Sequence, residues 1–211
     1  MRQLLYATIR RFRRDRMAIF QRYFPLTPDT RILDVGGTKL NWTLLPARPM
    51  ITLLNLPSSG EATVIGDGRY VPFRDRSFDI VFSNSVIEHI STPEDQRRFA
   101  DEVRRTGRAY WVQTPDRRFP VEPHLLTPFI HWLPKRVRAA IARRFTFWSL
   151  IERPTPDRWE YYIRHCSEEV RLLGARELQS MCPEAEIIRE RFLGFSKSLI
   201  AVAGAPPRSA K

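Results

Sequence analysis

The sequence has only two cysteines and no apolar run of membrane-spanning length. The spacing of Cys166 and Cys182 is not that of metal ligands, so we expect free thiols in a reduced, cytoplasmic setting. The basic N-terminus lacks both the continuous apolar stretch and the small-residue cleavage site of a signal peptide. No cluster of metal-binding carboxylates is evident. These absences exclude a membrane-spanning segment, disfavour a secreted protein, and predict no metal.

Acidic residues are also scarce relative to basic ones. The chain has 35 lysines and arginines against 23 acidic residues, which gives a formal net charge of +12. Such a charge favours an anionic partner, such as nucleic acid, a membrane surface or an acidic substrate. The excess is almost all arginine and is spread along the 211 residues. The charge therefore does not by itself indicate a nucleic-acid footprint.

One stretch near the N-terminus combines a buried strand with a tight turn. Residues 32–35 form a short, mainly aliphatic run that Gly36 and Gly37 end. Glycine has no Cβ, so this turn can be sharp and can approach a ligand closely. Asp34 falls at the end of the strand, where open α/β sheets bind their ligands. A G-x-G-x-x-G nicotinamide fingerprint is excluded, because Thr38 stands where the second glycine would be.

The rest of the pattern alternates strands with helices or loops. Further strands are predicted over residues 51–56, 63–65, 78–83, 109–114, 185–191 and 198–202. A clear helix over 93–105 begins after the capping residue Thr92, whereas the second and third strands are too close for a helical crossover. The last two strands join tightly at Gly194 and should pair antiparallel. We predict a doubly wound, Rossmann-like α/β sheet of seven mostly parallel strands that ends in an antiparallel hairpin.

Three other segments surround this sheet. Residues 2–24 predict an amphipathic, arginine-rich helix that either lies on an anionic membrane or packs on the domain with a solvated arginine face. Proline- and tryptophan-rich residues 119–165 form an insertion too long for a plain loop, with helical spacing over 131–147. Another helix is expected over 167–181. The predicted units are an N-terminal helix at 1–25, a domain at 26–204 that includes this insertion, and a disordered tail at 205–211.

Five short motifs occur in a fixed order along the predicted sheet. They are Asp34-Val35-Gly36-Gly37-Thr38, Asn55, Asp67-Gly68, Val71-Pro72-Phe73 with Ser77-Phe78-Asp79-Ile80-Val81, and Ser85-Val86-Ile87-Glu88-His89. In this order they resemble the class I S-adenosylmethionine-dependent methyltransferases, specifically the small-molecule "type 11" branch. The resemblance covers roughly residues 30–115, together with the hairpin at 185–203. It implies a methyltransferase with S-adenosyl-L-methionine as its cofactor.

The resemblance also implies roles for particular residues. Backbone N–H groups of the glycine turn would meet the cofactor's carboxylate, and Asp34 would stand near its ammonium group. Asn55 would bond a ribose hydroxyl, and Asp67 would accept from the adenine amino group. The predicted cofactor-binding set is Asp34, Gly36, Gly37, Thr38, Asn55, Asp67, Gly68 and Asn84.

Methyl transfer to a hydroxyl requires a base that removes the proton as the new bond forms. His124 is our preferred base, because Glu122 can orient it and Pro120 and Pro123 stiffen the segment. His89 is the second candidate. His131 and His165 are weaker ones. The rest of the catalysis is positioning of the nucleophile, the methyl carbon and the sulfur in line.

The acceptor is expected to be a small molecule or a glycan. Residues 114–124 resemble a bacterial subgroup that is associated with glycan and secondary-metabolite pathways. No Asn/Asp-Pro-Pro-aromatic motif follows the fourth strand, which argues against methylation of a nucleobase amine. The insertion should cover the acceptor site and keep it dry. The apolar residues expected to do so are Phe129, Trp132, Leu133, Phe145, Phe147 and Trp148.

Two alternatives stay open. The net charge would suit an RNA-modifying or RNA-binding protein on the same fold. Thr38 and Leu40 stand where the family has glycines, and Asn55 stands where it has an acid. Those differences, with the basic N-terminal helix, would suit a cofactor-less protein that acts as a scaffold or lies on the inner face of a membrane.

Overall fold

The computed structural model describes residues 2–43, 45–57 and 60–205. Its α-helices are Arg2–Tyr23 (α1), Lys39–Trp42 (α2), Pro93–Thr106 (α3), Lys135–Ala142 (α4), Phe147–Glu152 (α5), Pro156–Arg164 (α6) and Ala175–Met181 (α7). Its strands are Arg31–Val35 (β1), Met50–Asn55 (β2), Val64–Ile65 (β3), Phe78–Asn84 (β4), Gly107–Pro115 (β5), Val121–Glu122 (β6), Thr127–Pro128 (β7), Glu186–Phe192 (β8) and Phe195–Ala203 (β9). The predicted tail lies outside these residues, apart from its first residue.

Seven strands form one sheet in the order β3-β2-β1-β4-β5-β9-β8. The five strands from β1 to β5 are parallel, whereas β9 pairs antiparallel with both β5 and β8. The predicted fold class is therefore confirmed. The strand order reverses between β1 and β4, and in such sheets the crevice beyond this point binds the ligand. A small separate hairpin, β6–β7, lies in the insertion.

Both faces of the sheet are covered by helices. On one face α3 and α7 bury aliphatic side chains such as Val103 and Leu178 against the sheet. On the other face Phe20 of α1 packs edge-on against Phe82 and Trp111. Burial of these side chains removes apolar area from water, which is the main stabilising contribution to such a three-layer fold. The sheet is thus packed between helices on both faces.

Helix α1 is anchored to the sheet by a buried arginine. Arg16 is 8 % exposed, and its guanidinium donates to both carboxylate oxygens of Glu190 on β8, with Nη2 2.7 Å from Oε2. Its Nη1 donates to Asn84 Oδ1 at 2.7 Å and to Gln113 Oε1 at 3.0 Å. These bonds join α1 to three strands, so the C-terminal half of α1 packs on the domain.

The N-terminal half of α1 is different, because Leu4 is 73 % exposed and charged residues surround it. Within the described ranges, no helix is long and apolar enough to cross a membrane. Contact of this half-helix with a membrane surface stays a prediction. The cysteine prediction is confirmed, since Cys166 and Cys182 are both free and buried.

Two predicted helices are wrong in extent. The helix over 131–147 is divided, because α4 begins only after Pro134 and α5 begins where the Thr146 hydroxyl accepts from the Ser149 N–H at 3.0 Å. The helix over 167–181 becomes a short π-helical turn at His165–Glu169, an extended segment, and then α7. The extended segment is held away from a helix by contacts distant in sequence, since the Arg171 N–H donates to Glu88 O at 2.7 Å.

Candidate active site

A cavity of about 350 Å³ opens at the C-terminal ends of β1 and β2. Val35 and Gly36 line it from the first strand, and Asn55 lines it from the second. Its other walls are the 66–69 turn and the His89–Ser91 segment that follows β4. The cavity therefore lies at the switch point of the sheet, where the sequence motifs converge.

The glycine turn is fitted around the carboxylate of Asp34. Asp34 is fully buried, and its Oδ2 accepts from the Trp42 indole Nε1 at 2.8 Å. A Cβ placed on Gly37 would lie 1.9 Å from the same oxygen, so only glycine fits there. Gly36 has a φ of +77°, which also favours glycine. The two glycines are thus required by local geometry.

Asp34 carries an incompletely satisfied charge. Its Oδ1 is buried with no hydrogen-bond partner among the described residues. Burial raises the pKa of Asp34 to about 7, although the hydrogen bond from Trp42 partly opposes this. A cationic group in the adjacent cleft would lower that pKa again. The arrangement therefore fits a cofactor that presents an ammonium group at the turn.

The side-chain amide of Asn55 holds the glycine turn in place by hydrogen bonds. Its Nδ2 donates to Gly37 O at 2.9 Å and also to Glu61 O. The Glu61 carboxylate in turn accepts from the Lys39 N–H at 2.8 Å, at the start of α2. The amide nitrogen of Asn55 is thus committed to holding the loops together. Its predicted bond to a ribose hydroxyl stays a prediction.

The acidic turn after β3 is paired with an arginine. Asp67 and Gly68 line the cavity, as the motif prediction requires. Arg69 binds Asp67 through a contact of 2.6 Å and reaches Asp95 at 2.9 Å. The hydrogen bonds from Arg69 lower the pKa of Asp67, although burial opposes them. An adenine amino group would share this carboxylate with Arg69.

Four members of the predicted cofactor set are not among the residues that line the cavity, namely Asp34, Gly37, Thr38 and Asn84. Thr38 precedes α2 and makes no capping hydrogen bond with its side chain. Asn84 is bonded to Arg16, as described above. Their roles toward the cofactor stay predictions.

Three histidines meet at one wall of the cavity. His89 lines the cavity, and its ring lies 4.9 Å from that of His124, measured between centroids. His89 Nδ1 is 3.1 Å from His165 Nε2, and the two rings are almost parallel. All three are candidate bases predicted from the sequence, and they lie in segments far apart in the chain. The fold brings them together.

Carboxylates orient the outer two histidines. His124 Nδ1 is 2.7 Å from Glu122 Oε1, which is the pair expected from the sequence. His165 Nδ1 is 2.6 Å from Glu169 Oε2. Sequence reasoning missed Glu169, although its spacing of four residues from His165 on a helical segment is a usable signal. Each of these two imidazoles thus has its Nδ1 held by a carboxylate, and the Nε2 of His165 faces His89.

The surroundings shift the pKa values of the two candidate bases, His89 and His124, in opposite directions. Burial lowers the pKa of His89 to about 4, with further lowering by His124 and His165, although Glu122 opposes this. Burial also disfavours the charged form of His124, but Glu122 and Glu88 outweigh it and raise the pKa of His124. Glu88 is fully buried, and burial raises its own pKa. At neutral pH His89 is therefore uncharged, whereas His124 holds its proton more tightly than an ordinary histidine.

Glu88 completes the cluster. Its Oε2 accepts from the Thr114 hydroxyl at 3.0 Å, and its Oε1 has no hydrogen-bond partner within the described residues. Glu88, His89 and His124 each offer a ligand atom within 4.8 Å of the others, a spacing at which a metal ion could bind. The bonds to Thr114 and Glu122 orient Glu88 and His124 without any metal. The prediction of no metal stays a prediction.

Most of the apolar residues that the sequence predicts to cover the acceptor site are exposed, and the insertion has a small core of its own. Its own small core includes Leu125, Ile130 and Ile163. Trp148 is buried, but the other residues predicted to close the site are exposed. These are Phe129, Trp132, Leu133, Phe145 and Phe147. A covering role for the insertion stays a prediction.

Sequence comparisons agree with the motif order. Residues 46–109 match the model of a family described as "Methyltransferase domain". An uncharacterized protein of Mycobacterium tuberculosis is 39 % identical over 54 residues, which are 26 % of this chain and 18 % of that protein. The chain thus spans less than a fifth of that relative in the aligned region. This match covers only a segment of each protein, so it supports no inference about activity.

Solved structures show the same fold. A protein of Rhodobacter sphaeroides, provisionally described as a Zn-dependent alcohol dehydrogenase, superposes with a TM-score of 0.55 at 12 % identity over 88 % of this chain and 87 % of that one. The PH0226 protein of Pyrococcus horikoshii gives 0.50 at 15 % identity over 88 % and 85 %. Identities this low concern the fold alone. Residues 46–109 are thus similar to a methyltransferase domain, and the solved structures agree with the Rossmann-like fold of the chain.

Proposed function

We propose that this protein transfers the methyl group of S-adenosyl-L-methionine to a hydroxyl oxygen of a small-molecule or glycan acceptor. The observation that carries the proposal is the position of the histidine cluster, which borders the cavity at the switch point through His89. The cofactor would supply a methyl group activated by a positively charged sulfonium. The protein would supply binding, alignment and a proton acceptor.

The cofactor would be held by the turn between β1 and α2. The backbone N–H groups of residues 36–38 would bind its carboxylate, because such turns are favourable sites for anions. Asp34 would interact with its ammonium group, either directly or through water, which would satisfy the orphaned oxygen. Asn55 would bond the ribose and Asp67 the adenine, as the family resemblance implies.

The base is the pair of His124 and Glu122. Glu122 accepts from Nδ1, so the second nitrogen of His124 is left to take the acceptor's proton. The carboxylate stabilises the imidazolium that forms, as the raised pKa of His124 reflects. His89, between this pair and the cavity, would orient the hydroxyl. The three side chains are brought together by the segment after β4 and by the insertion.

His89 itself is the other base candidate. Its Nδ1 contacts His165, and His165 contacts the half-exposed Glu169. A proton taken up by His89 could therefore pass through His165 to the surface. The pKa of His89 near 4 makes it the weaker base, which favours His124.

Calorimetric titration with S-adenosylmethionine tests the proposal. We expect one binding site, and we expect S-adenosylhomocysteine to compete for it. Absence of binding at millimolar cofactor would refute the proposed function and favour the scaffold alternative. If the cofactor binds, release of S-adenosylhomocysteine in a screen of hydroxylated acceptors would identify the substrate.

A further inference from the structure

A second cleft, of about 520 Å³, lies on the other side of the His89–Ser91 segment from the cofactor cavity. Ser91 lines both cavities, so the two are neighbours. The second cleft is formed by the start of α3, residues 170–172, and the 131–138 part of the insertion. It therefore adjoins the segment that follows β4 and carries His89.

The walls of this cleft carry a concentration of positive charge. Its basic lining residues are Arg117, Lys135, Arg138 and Arg171, and its described lining includes no carboxylate. Glu177 stands behind the wall, where it pairs with Arg171 and lies 3.7 Å from Arg117. The single carboxylate of Glu177 thus partly neutralises two guanidinium groups.

Glu122 is another acid whose charge reaches the cleft. It acts on Arg138 and His131 electrostatically, but its two oxygens are engaged by His124 and by the Leu125 N–H. His131, which also lines the cleft, has its Nε2 3.1 Å from Arg117 O. The described lining of the cleft thus has four basic side chains and no carboxylate, a composition that favours an anion over a cation. An anion entering it would gain Coulomb energy in a partly desolvated setting.

Hydrogen bonds connect the backbone around the cleft to the proposed active site. The Arg171 N–H donates to Glu88 O at 2.7 Å, directly before His89. Gln96 also bridges the two segments, since its Nε2 donates to Ile87 O at 2.8 Å and to Arg171 O at 3.0 Å. The side chain of Arg171 is fixed in turn by Gln96 and Glu177. Arg171 is thus held in place next to the segment that carries His89.

We propose that this cleft binds an anionic group of the methyl acceptor, a phosphate monoester or a carboxylate. The inference rests on the proposed function and narrows its substrate class to acidic acceptors. Arg117 and Arg171 provide planar guanidinium groups, which bind both anions in a bidentate manner. Lys135 adds a point charge at the rim. The anionic group would orient the acceptor so that its hydroxyl reaches the histidine cluster.

The test uses phenyl phosphate and benzoate as anionic probes and phenol as the neutral one, titrated calorimetrically into the full chain at low salt. The cleft variant is Arg117→Gln with Lys135→Gln. The matched control is Arg118→Gln with Arg136→Gln, because these neighbours have the same charge and lie outside the lining of the cleft. Both variants lower the net charge by two, so long-range electrostatics is held constant.

We expect at least one anionic probe to bind the wild type and phenol not to bind. The cleft variant should weaken that binding by about 30-fold, since two charge-assisted contacts are lost, whereas the control should change it less than threefold. Equal weakening in both variants, or no binding of either anion at 10 mM or so, would overturn the inference.

Titration of the same proteins with S-adenosylmethionine separates this result from the proposed function. The cleft variant should bind the cofactor as the wild type does, because its substitutions lie outside the first cavity. Loss of cofactor binding in the wild type would refute methyl transfer, while the anion titration would still report on the cleft.

Discussion

The two clefts beside the His89–Ser91 segment differ in both charge and construction. The cofactor cavity is lined by Asp67 and Asp95, which both pair with Arg69, and has Asp34 beneath its turn, so its acidic groups outnumber its one arginine. The second cleft is lined by four basic side chains. A cationic cofactor and an anionic acceptor would thus be attracted to separate sites that adjoin at Ser91. Such a separation of charge would let a strongly basic chain hold a cationic cofactor.

Their construction differs as well. The cofactor cavity is built from consecutive strand ends and turns, whose positions follow from the parallel register of β1 with β2 and β4. The acceptor side depends on distant partners, such as His89 with His165, which are 76 residues apart in the chain. Local patterns therefore reveal the first cleft and not the second.

The largest effect is expected for the base. His124→Ala should lower kcat by about 10²–10⁴-fold while S-adenosylmethionine affinity changes less than twofold, because His124 lies on the acceptor side. Turnover with the identified acceptor and calorimetric titration measure the two quantities. Equal losses in both would instead assign His124 to cofactor binding.

The pH profile of the wild type distinguishes the two histidines. A base must be unprotonated, so with His124 as base kcat should fall as the pH drops through a pKa above the ordinary value of about 6.5. Glu122→Gln should move that fall to lower pH, since it removes the carboxylate that raises the pKa. Activity that persists to a pH near 4 would favour His89.

The anchor of α1 tests whether this helix belongs to the sheet. Arg16→Met leaves the carboxylate of Glu190 buried without its bidentate partner, so the free energy of unfolding should fall by about 3–5 kcal/mol. Arg11→Met removes an exposed arginine of the same helix, which is 3.8 Å from Asp15, and should change it by less than about 0.5 kcal/mol. Urea denaturation measures both, and similar values would show that α1 is not anchored through Arg16.

Asp34→Asn should weaken the cofactor site and stabilise the apo protein. With a folded-state pKa of about 7 against 3.8, the folded chain holds a proton that the unfolded chain has lost, so stability falls as pH rises between these values. The asparagine variant lacks this fall and should be roughly 2–4 kcal/mol more stable at pH 8. Its S-adenosylmethionine affinity should drop by about 10–100-fold. Stability curves at pH 4 and pH 8 check the sign, and an unchanged pH dependence would contradict the raised pKa.

The smallest effect concerns the helix that supports the cofactor cavity. Thr92 Oγ1 accepts from the Asp95 N–H at 3.2 Å, so Thr92→Ala should cost about 1 kcal/mol of stability. Thr155 occupies the same position before α6 but makes no capping bond with its side chain, so Thr155→Ala should cost much less. Thermal denaturation of the pair measures the difference, and equal costs would remove the capping explanation.

Local sequence patterns predict the sheet and the motifs that meet at the first cavity. Alternation of apolar and polar residues, the glycine pair and Thr92 are local signals, and they led to the correct sheet, the antiparallel hairpin and α3. The pairing of His124 with Glu122 was also accessible, because the two residues are neighbours in the chain. Local spacing was misleading where long-range contacts prevailed, as at residues 170–174, where the Arg171 N–H donates to Glu88 O and Leu173 O accepts from the Arg117 N–H.

Which side chains line the same wall of a cavity depends on the tertiary fold. Three histidines from β4's end, the insertion and the π-helical turn meet because the insertion folds back over the sheet edge. The basic cleft arises in the same way, since Arg117, Lys135 and Arg171 are far apart in sequence. The orphaned oxygen of Asp34 likewise depends on the surrounding burial. Periodicity describes what each segment can bury, whereas charge complementarity in a cleft depends on which segments the fold brings into contact.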